Sequence, residues 1–417
     1  MFKKIVSFII AGLCLLALIT PLRALENSED IGLTAQYAVA IDAKSGLVLY
    51  NKNMDERMYP ASMTKVMTTI VAIEMIKDFN ATTVITQSDI DTVWETGASS
   101  ANFEIGETVT YNDLLLGAIL PSGADATRAL ANNLCGSQEE FVNKMNELAE
   151  KLELKDTHFV NTTGIHDENH YTTAHDMALI VKYAVENEQF REIYSKRFAT
   201  SSNGLHQWVN KSIYNANRSH IDTSSILGCK SGYTDAAKNC LSSLDIVGNN
   251  EIITIVGKSI NNDLKPRAAV QDTLDIVNYV SQNYSMQSIL AKGTQVKNLD
   301  VEVAKDNQKI VIENQNDVSA FLPNDFNKDD LKYKYSFEKL EAPLEKGTKV
   351  GNLSIYYGDY LLYQEEYFND IMIERDAVGD VKGKIIDFIF PYGLAIFLVI
   401  LYFFISKIKK YQKVTVK

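Results

Sequence analysis

The stretch Pro60-Ala61-Ser62-Met63-Thr64-Lys65 heads a helix that has almost no polar face to offer solvent. Val66, Met67, Ile70, Val71 and Ile73 follow it at the spacing of a helix buried on most sides. Pro60 falls just outside the first turn, where a missing N–H costs little. Ser62 and Lys65 are three residues apart, so one helical face carries both. A serine cap and a surface lysine would be the plain explanation, but the apolar turns that follow give Lys65 little access to water. A lysine in such a place is costly unless it is paired or used. The alternative is a nucleophile and its base. A serine hydroxyl attacks poorly until a neighbour takes its proton, and a lysine in dry surroundings near positive charge loses its own proton close to neutral pH.

The ends of the chain suggest export. Lys3 and Lys4 precede an apolar run from Ile5 to Ile19, then Pro21 and Ala24, the layout of a secretory signal peptide over residues 1–25. An uncleaved anchor is the alternative. Cys14 follows Leu13 rather than a small residue, which argues against a lipid anchor. Phe388 to Ile405 is an 18-residue stretch without charge, followed by Lys407, Lys409, Lys410, Lys413 and Lys417. An apolar stretch of about 20 residues spans a bilayer, and a basic flank stays cytoplasmic. The expectation is a transmembrane helix over 385–405, a cytoplasmic tail over 406–417, and the bulk of the chain outside the cell membrane. A helix lying in the interface is the alternative.

The formal net charge of -12 excludes nucleic acid as a partner, because phosphate binding needs basic patches. Three cysteines remain beyond the leader, Cys135, Cys229 and Cys240, too few for a disulfide framework. Free thiols are expected, although Cys229 and Cys240 could pair from neighbouring strands.

Between the ends, α and β segments come in blocks. Residues 37–41 and 47–50 flank a Gly-containing turn and predict a hairpin. The Ser62 helix follows, then Asn112 to Leu134, helical except for a break at Pro121-Ser122-Gly123. Further helices are predicted over Glu139–Leu152 and Ala174–Val185. Cys229–Thr234, Cys240–Val247 and Ile252–Ser259 read as consecutive antiparallel strands, with Ala268–Gln282 as a helix covering them. The class is α+β, helices on an antiparallel sheet. From about Ser285 only strand patterns occur, predicting a small β-rich domain over 285–375.

Two further segments join the Ser62 pair. Ser122 sits in Pro121-Ser122-Gly123-Ala124-Asp125, where a helix break frees its hydroxyl to face a cleft. A helix cap would be the plain explanation. Lys230-Ser231-Gly232-Tyr233-Thr234 puts a lysine inside a strand, beside a glycine that allows close approach of a ligand or backbone. An edge strand guarded by a charge is the alternative. Each segment is weak alone. Ser-x-x-Lys, Ser-Gly and Lys-Ser-Gly in that order, 60 and 108 residues apart, are strong together.

The three motifs resemble the set shared by penicillin-binding proteins and class A β-lactamases. Tyr59-Pro60-Ala61-Ser62-Met63-Thr64-Lys65 and Gly228-Cys229-Lys230-Ser231-Gly232-Tyr233-Thr234-Asp235 resemble more closely the low-molecular-mass penicillin-binding proteins, the serine-type D-alanyl-D-alanine carboxypeptidases. Asn161-Thr162-Thr163-Gly164 and Tyr171-Thr172-Thr173-Ala174-His175-Asp176 are similar to that family too. The likeness implies a transpeptidase-like domain over 30–284, no metal or cofactor, and a peptidoglycan stem peptide ending in D-Ala-D-Ala as substrate. β-Lactams would act as inhibitors. It further implies that Ser62 attacks the penultimate carbonyl, Lys65 takes its proton and Ser122 relays the proton to the leaving D-alanine. Lys230 and Ser231 would hold the terminal carboxylate. The Ser62 N–H and an N–H after Gly232, near Tyr233 or Thr234, would meet the oxyanion.

Two positions depart from the family pattern. Ala124 stands where asparagine is usual, removing an amide that would reach Lys65 and the substrate, and Ser231 stands where threonine is common. Ala124 makes a scaffold with weakened turnover one alternative; an endopeptidase acting on cross-links, which would leave the same kind of acyl-enzyme, is another. A β-lactamase is disfavoured, since no glutamate for deacylation stands out and a second domain would serve no purpose. His166 and His170 suggest a metal only if they share a helix, and Gly164 argues for a loop. Trp94 and Trp208 are expected to pack or to line a rim.

Overall fold

The structure is a computed structural model that describes residues 28–91, 93, 97–376, 381, 392–393 and 395–408. The proposed leader and Trp94 lie outside the described residues. The chain forms two compact units, Met1–Ser285 and Met286–Lys417.

The first unit is built on strands β1 (Tyr37–Asp42) and β2 (Val48–Lys52), helices α1 (Thr64–Met75), α2 (Tyr111–Ile119), α3 (Ala124–Cys135), α4 (Gln138–Lys151) and α5 (Ala174–Val185), strands β3 (Ile226–Thr234), β4 (Lys238–Val247) and β5 (Asn250–Ser259), and helix α6 (Ala268–Asn283). The sheet order is β2-β1-β5-β4-β3, antiparallel throughout. The chain returns after the helical block to lay β5 against β1, so a break of about 200 residues closes inside one sheet. Val39, Ile41, Ile253 and Ile255 face the helical block and share a core with Met63, Val66 and Ile70. Helix α6 covers the other face, and its buried Asp272 accepts from the Thr34 N–H, the Thr34 hydroxyl and the Ala35 N–H, tying the lead-in to the closing helix.

Every residue of α1 from Thr64 to Ile73 is buried. Each large aliphatic side chain removed from water there contributes roughly 1.5–3 kcal/mol, which fixes the helix in the middle of the unit. Helix α1 starts one residue after a short 3-10 turn, Ala61–Met63, so Ser62 sits on that turn rather than inside the helix proper. The break between α2 and α3 falls at 120–123, where Gly123 N–H donates to Gly117 O and Ala124 N–H to Ser99 O.

Up to Phe368 the described part of the second unit is strand with two short 3-10 turns. Leu331–Phe337, Lys349–Tyr357 and Tyr360–Phe368 form a three-stranded antiparallel sheet, and Gln295–Glu302 pairs with Lys309–Glu313. Val318–Pro323, unrecognised in the sequence, pairs with Tyr284–Leu290.

The expected membrane span is overturned. Among the described residues no helix is long and apolar enough to cross a membrane. Residues 385–391 and 394 of that expected span, and 409–417 of the expected tail, lie outside the described residues. Placement at the cell membrane with an extracellular catalytic domain is therefore not supported. Cys135, Cys229 and Cys240 are free thiols. Register explains why the last two do not meet, since Cys229 lies opposite Ser243 and Cys240 opposite Gly232.

Candidate active site

All eight residues singled out in the three motifs line one cleft of about 750 Å³: Ser62, Lys65, Ser122, and Lys230 through Thr234. Three elements meet there: the 3-10 turn with the head of α1, the α2–α3 break, and strand β3.

Lys65 Nζ lies 2.9 Å from Ser62 Oγ and donates to the Thr163 carbonyl at 2.6 Å. Lys65 is only 1% exposed. Burial, then the charge of Lys230, holds its ammonium well below the usual lysine range, with Asp125 opposing. Lys230 Nζ donates to Ser122 Oγ at 2.9 Å and to the Ser231 carbonyl at 2.7 Å. Burial pushes it down to about 7, with Cys229 opposing and Lys211 adding to the shift.

Two glycines let the backbones converge. A Cβ on Gly232 would stand 2.7 Å from the Ser62 nitrogen, so only glycine lets β3 run against the Ser62 turn. Gly164 has φ +81, and a Cβ there would stand 1.9 Å from the Ala61 carbonyl oxygen. The loop that places Gly164 is closed by Asn161, whose Oδ1 accepts from the N–H groups of Thr163 and Gly164, an Asx-type turn. Ala61 and Ser122 are both left-handed, φ 47 and φ 70, uncommon for residues with a Cβ. Such strain persists where surrounding packing over-determines it, and functional sites are where it clusters.

Several contributors went unrecognised in the sequence. Asp125, 1% exposed, accepts from Ser100 Oγ and from the Ala101 and Phe103 N–H groups, clamping the loop at the cleft mouth. An acid in the first turn of α3 was visible, but its partners lie over 20 residues away. Trp208 packs, one of the two places expected for it; it is 3% exposed, and what the sequence did not announce is that its indole N–H donates to the Ala101 carbonyl at 3.0 Å, holding the same loop. Thr163 offers its carbonyl to Lys65, a role no side-chain pattern announces. Ala124 is fully buried in the first turn of α3, and its N–H bond to Ser99 O keeps the turn in place without an amide.

His166 packs edge-on against Tyr59 at the cleft, while His170 is buried. No group of three or more His, Cys, Asp or Glu among the described residues is placed to hold a metal.

A family profile described as D-alanyl-D-alanine carboxypeptidase matches residues 24–260. The chain belongs to the D-alanyl-D-alanine carboxypeptidase family. It is a serine-type hydrolase of that family, with the transpeptidase-like α+β domain followed by a β domain. A second profile, the C-terminal domain of penicillin-binding protein 5, matches residues 284–375. The D-alanyl-D-alanine carboxypeptidase DacF of Bacillus subtilis is 31% identical over 363 residues, 84% of this chain and 90% of the relative. Among solved structures, penicillin-binding protein 5 of Haemophilus influenzae superposes with a TM-score of 0.65 at 24% identity, over 84% of this chain and all of the other, a likeness of fold. A Streptomyces K15 DD-transpeptidase superposes with a TM-score of 0.55 at 29% identity, over 60% of this chain and 98% of the other.

Proposed function

We propose that the protein removes the terminal D-alanine from peptidoglycan stem pentapeptides through an acyl-enzyme on Ser62, and that β-lactams acylate the same oxygen. The observation that carries this is a buried, deprotonation-prone Lys65 amine 2.9 Å from Ser62 Oγ, in the cleft that also holds the Ser122–Lys230 pair.

Neutral Lys65 takes the Ser62 proton as Oγ bonds to the penultimate D-alanine carbonyl carbon. The oxyanion is met by the Ser62 N–H and by an N–H of β3 beyond Gly232, which runs against that turn. The C–N bond then breaks, and the proton passes by way of Ser122 to the leaving D-alanine nitrogen. Water attacks the ester, returning the proton to Ser62 and releasing the shortened peptide. Lys230 and Ser231 hold the substrate carboxylate, and the positive charge of Lys230 helps keep Lys65 neutral. Tyr233 and Thr234 form the strand edge along which the peptide lies. We assign the catalytic domain to 30–284 and the β-rich domain to 285–375.

Treatment with a labelled penicillin followed by peptide mass spectrometry is expected to place one adduct on Ser62. A pentapeptide ending in D-Ala-D-Ala is expected to release free D-alanine. An adduct elsewhere, or none, would sink the assignment. A penicillin adduct without D-alanine release would favour a scaffold with weakened turnover, with Ala124 as its cause.

A further inference from the structure

His170 takes no part in the steps above, yet it is 2% exposed and every nitrogen of its ring is engaged. The Val160 N–H donates to His170 Nδ1 at 3.1 Å. A neutral ring accepting at Nδ1 carries its proton on Nε2. Nε2 lies 2.8 Å from Thr64 Oγ1 and therefore donates to it. Thr64 has one hydroxyl proton, and it goes to the Ala61 carbonyl, 2.8 Å away. The bonds form a one-way chain from the Val160 amide through His170 and Thr64 to Ala61. Burial holds the ring neutral, as the chain requires, with its pKa lowered to about 4.

The far end of this chain matters because of peptide planarity. The Ala61 carbonyl and the Ser62 N–H belong to one rigid peptide unit and point in opposite directions. Whatever fixes the carbonyl aims the N–H. Ala61 is held at φ 47, a conformation it would not adopt unaided. Gly164 and Gly232 crowd the unit from two sides, and Thr64 supplies both a backbone N–H and its hydroxyl to the carbonyl.

We propose that His170 and Thr64 are positioning residues, which aim the Ser62 N–H at the oxyanion by locking the Ala61–Ser62 peptide. This rests on the reading of that N–H as an oxyanion donor. A histidine that only filled the core would need neither a defined tautomer nor a hydroxyl relay to the turn bearing the nucleophile.

The test compares Thr64→Val, Thr64→Ser, His170→Phe and the Val–Phe double variant in the full chain. The readings are the rate of acylation by a labelled penicillin and kcat and KM on a D-Ala-D-Ala peptide. Thr64→Val is expected to slow acylation and kcat about 10-fold, part of the 10²–10³-fold that loss of a whole oxyanion donor costs. KM should stay within about twofold, since the donor acts in the transition state. Thr64→Ser should restore the rate. The double variant should be no worse than the poorer single one, because both break one chain. Should His170→Phe fail to fold, the valine and serine variants decide alone. Wild-type acylation rates in Thr64→Val, a loss confined to KM, or equal losses in valine and serine would overturn the inference while leaving the proposed function intact. Absence of any adduct on wild-type Ser62 would remove the proposed function, and this inference with it.

Discussion

The cleft contains two serine–lysine pairs with the same 2.9 Å separation, Ser62–Lys65 and Ser122–Lys230. They differ in construction. The first is local, three residues apart on one turn, and its lysine also donates to a carbonyl from a distant loop, Thr163. The second joins residues 108 apart, and its lysine also donates to its own neighbour, Ser231. Lys65 is buried at the head of an apolar helix and has a second ammonium nearby, so it is the better candidate for a neutral base. Lys230, on a strand lining the cleft, is suited to carry charge toward a carboxylate. Equal spacing does not mean equal roles; the surroundings of each amine decide which one gives up its proton.

Breaking the pairs one member at a time should separate those roles. The largest effect is expected for Ser62→Ala, which removes the proposed nucleophile: no penicillin adduct by mass spectrometry and D-alanine release lower by about 10⁴-fold or more. Lys65→Met comes next, with acylation slowed about 10²–10⁴-fold through kcat, the usual worth of a positioned base. Lys230→Met should act mainly on KM for a D-Ala-D-Ala peptide, raising it about 10- to 100-fold, the worth of a charge-assisted hydrogen bond. If Lys230→Met abolishes acylation while Lys65→Met spares it, the two roles are reversed.

The pairs should also divide the pH profile of kcat/KM. In the proposed role Lys65 is neutral, so the acid limb should mark its protonation. In the proposed role Lys230 is charged, so activity is expected to fall as pH rises through about 7. Lys230→Arg, whose guanidinium stays protonated, should move that alkaline limb upward by more than about one unit. An unmoved limb would mean another group sets it.

The smallest effect is on stability. Lys230 titrates near 7 in the folded chain against an ordinary value of 10.5. Between those values the unfolded chain binds more protons, so its contribution to stability rises with pH across that window, and its penalty is complete below about 7. Lys230→Met should therefore raise Tm at pH 6 by scanning calorimetry, by about 2–4 °C for each kcal/mol of that penalty, with the advantage shrinking toward pH 10. A lower Tm at pH 6 would show that the bond to Ser122 outweighs the cost of burying the charge.

Much of this architecture can be read without coordinates. The helix after Ser62, the break at Pro121-Ser122-Gly123 and the three strands from Cys229 to Ser259 follow from apolar spacing and breakers, which act over a few residues. Local patterns also put Ser62 and Lys65 on one face. The strand at Val318–Pro323 escaped because its short apolar run lies among polar turns. The expected span over 385–405 rested on apolar composition alone, and among the described residues no helix is long and apolar enough to cross a membrane.

Taken alone, the order of residues determines the local pair, the α+β class and the family likeness, because these depend on neighbours along the chain. Only the tertiary structure decides that Ser122 and Lys230 bond to each other, that Thr163 offers a carbonyl to Lys65, and that His170 reaches the Ser62 turn through Thr64. Those contacts join residues roughly 100 apart or more, and no periodicity along the chain encodes which distant backbone atom a buried polar group will find. Desolvation likewise exists only once the cleft is assembled, so the depressed lysine values on which the chemistry depends are properties of the fold.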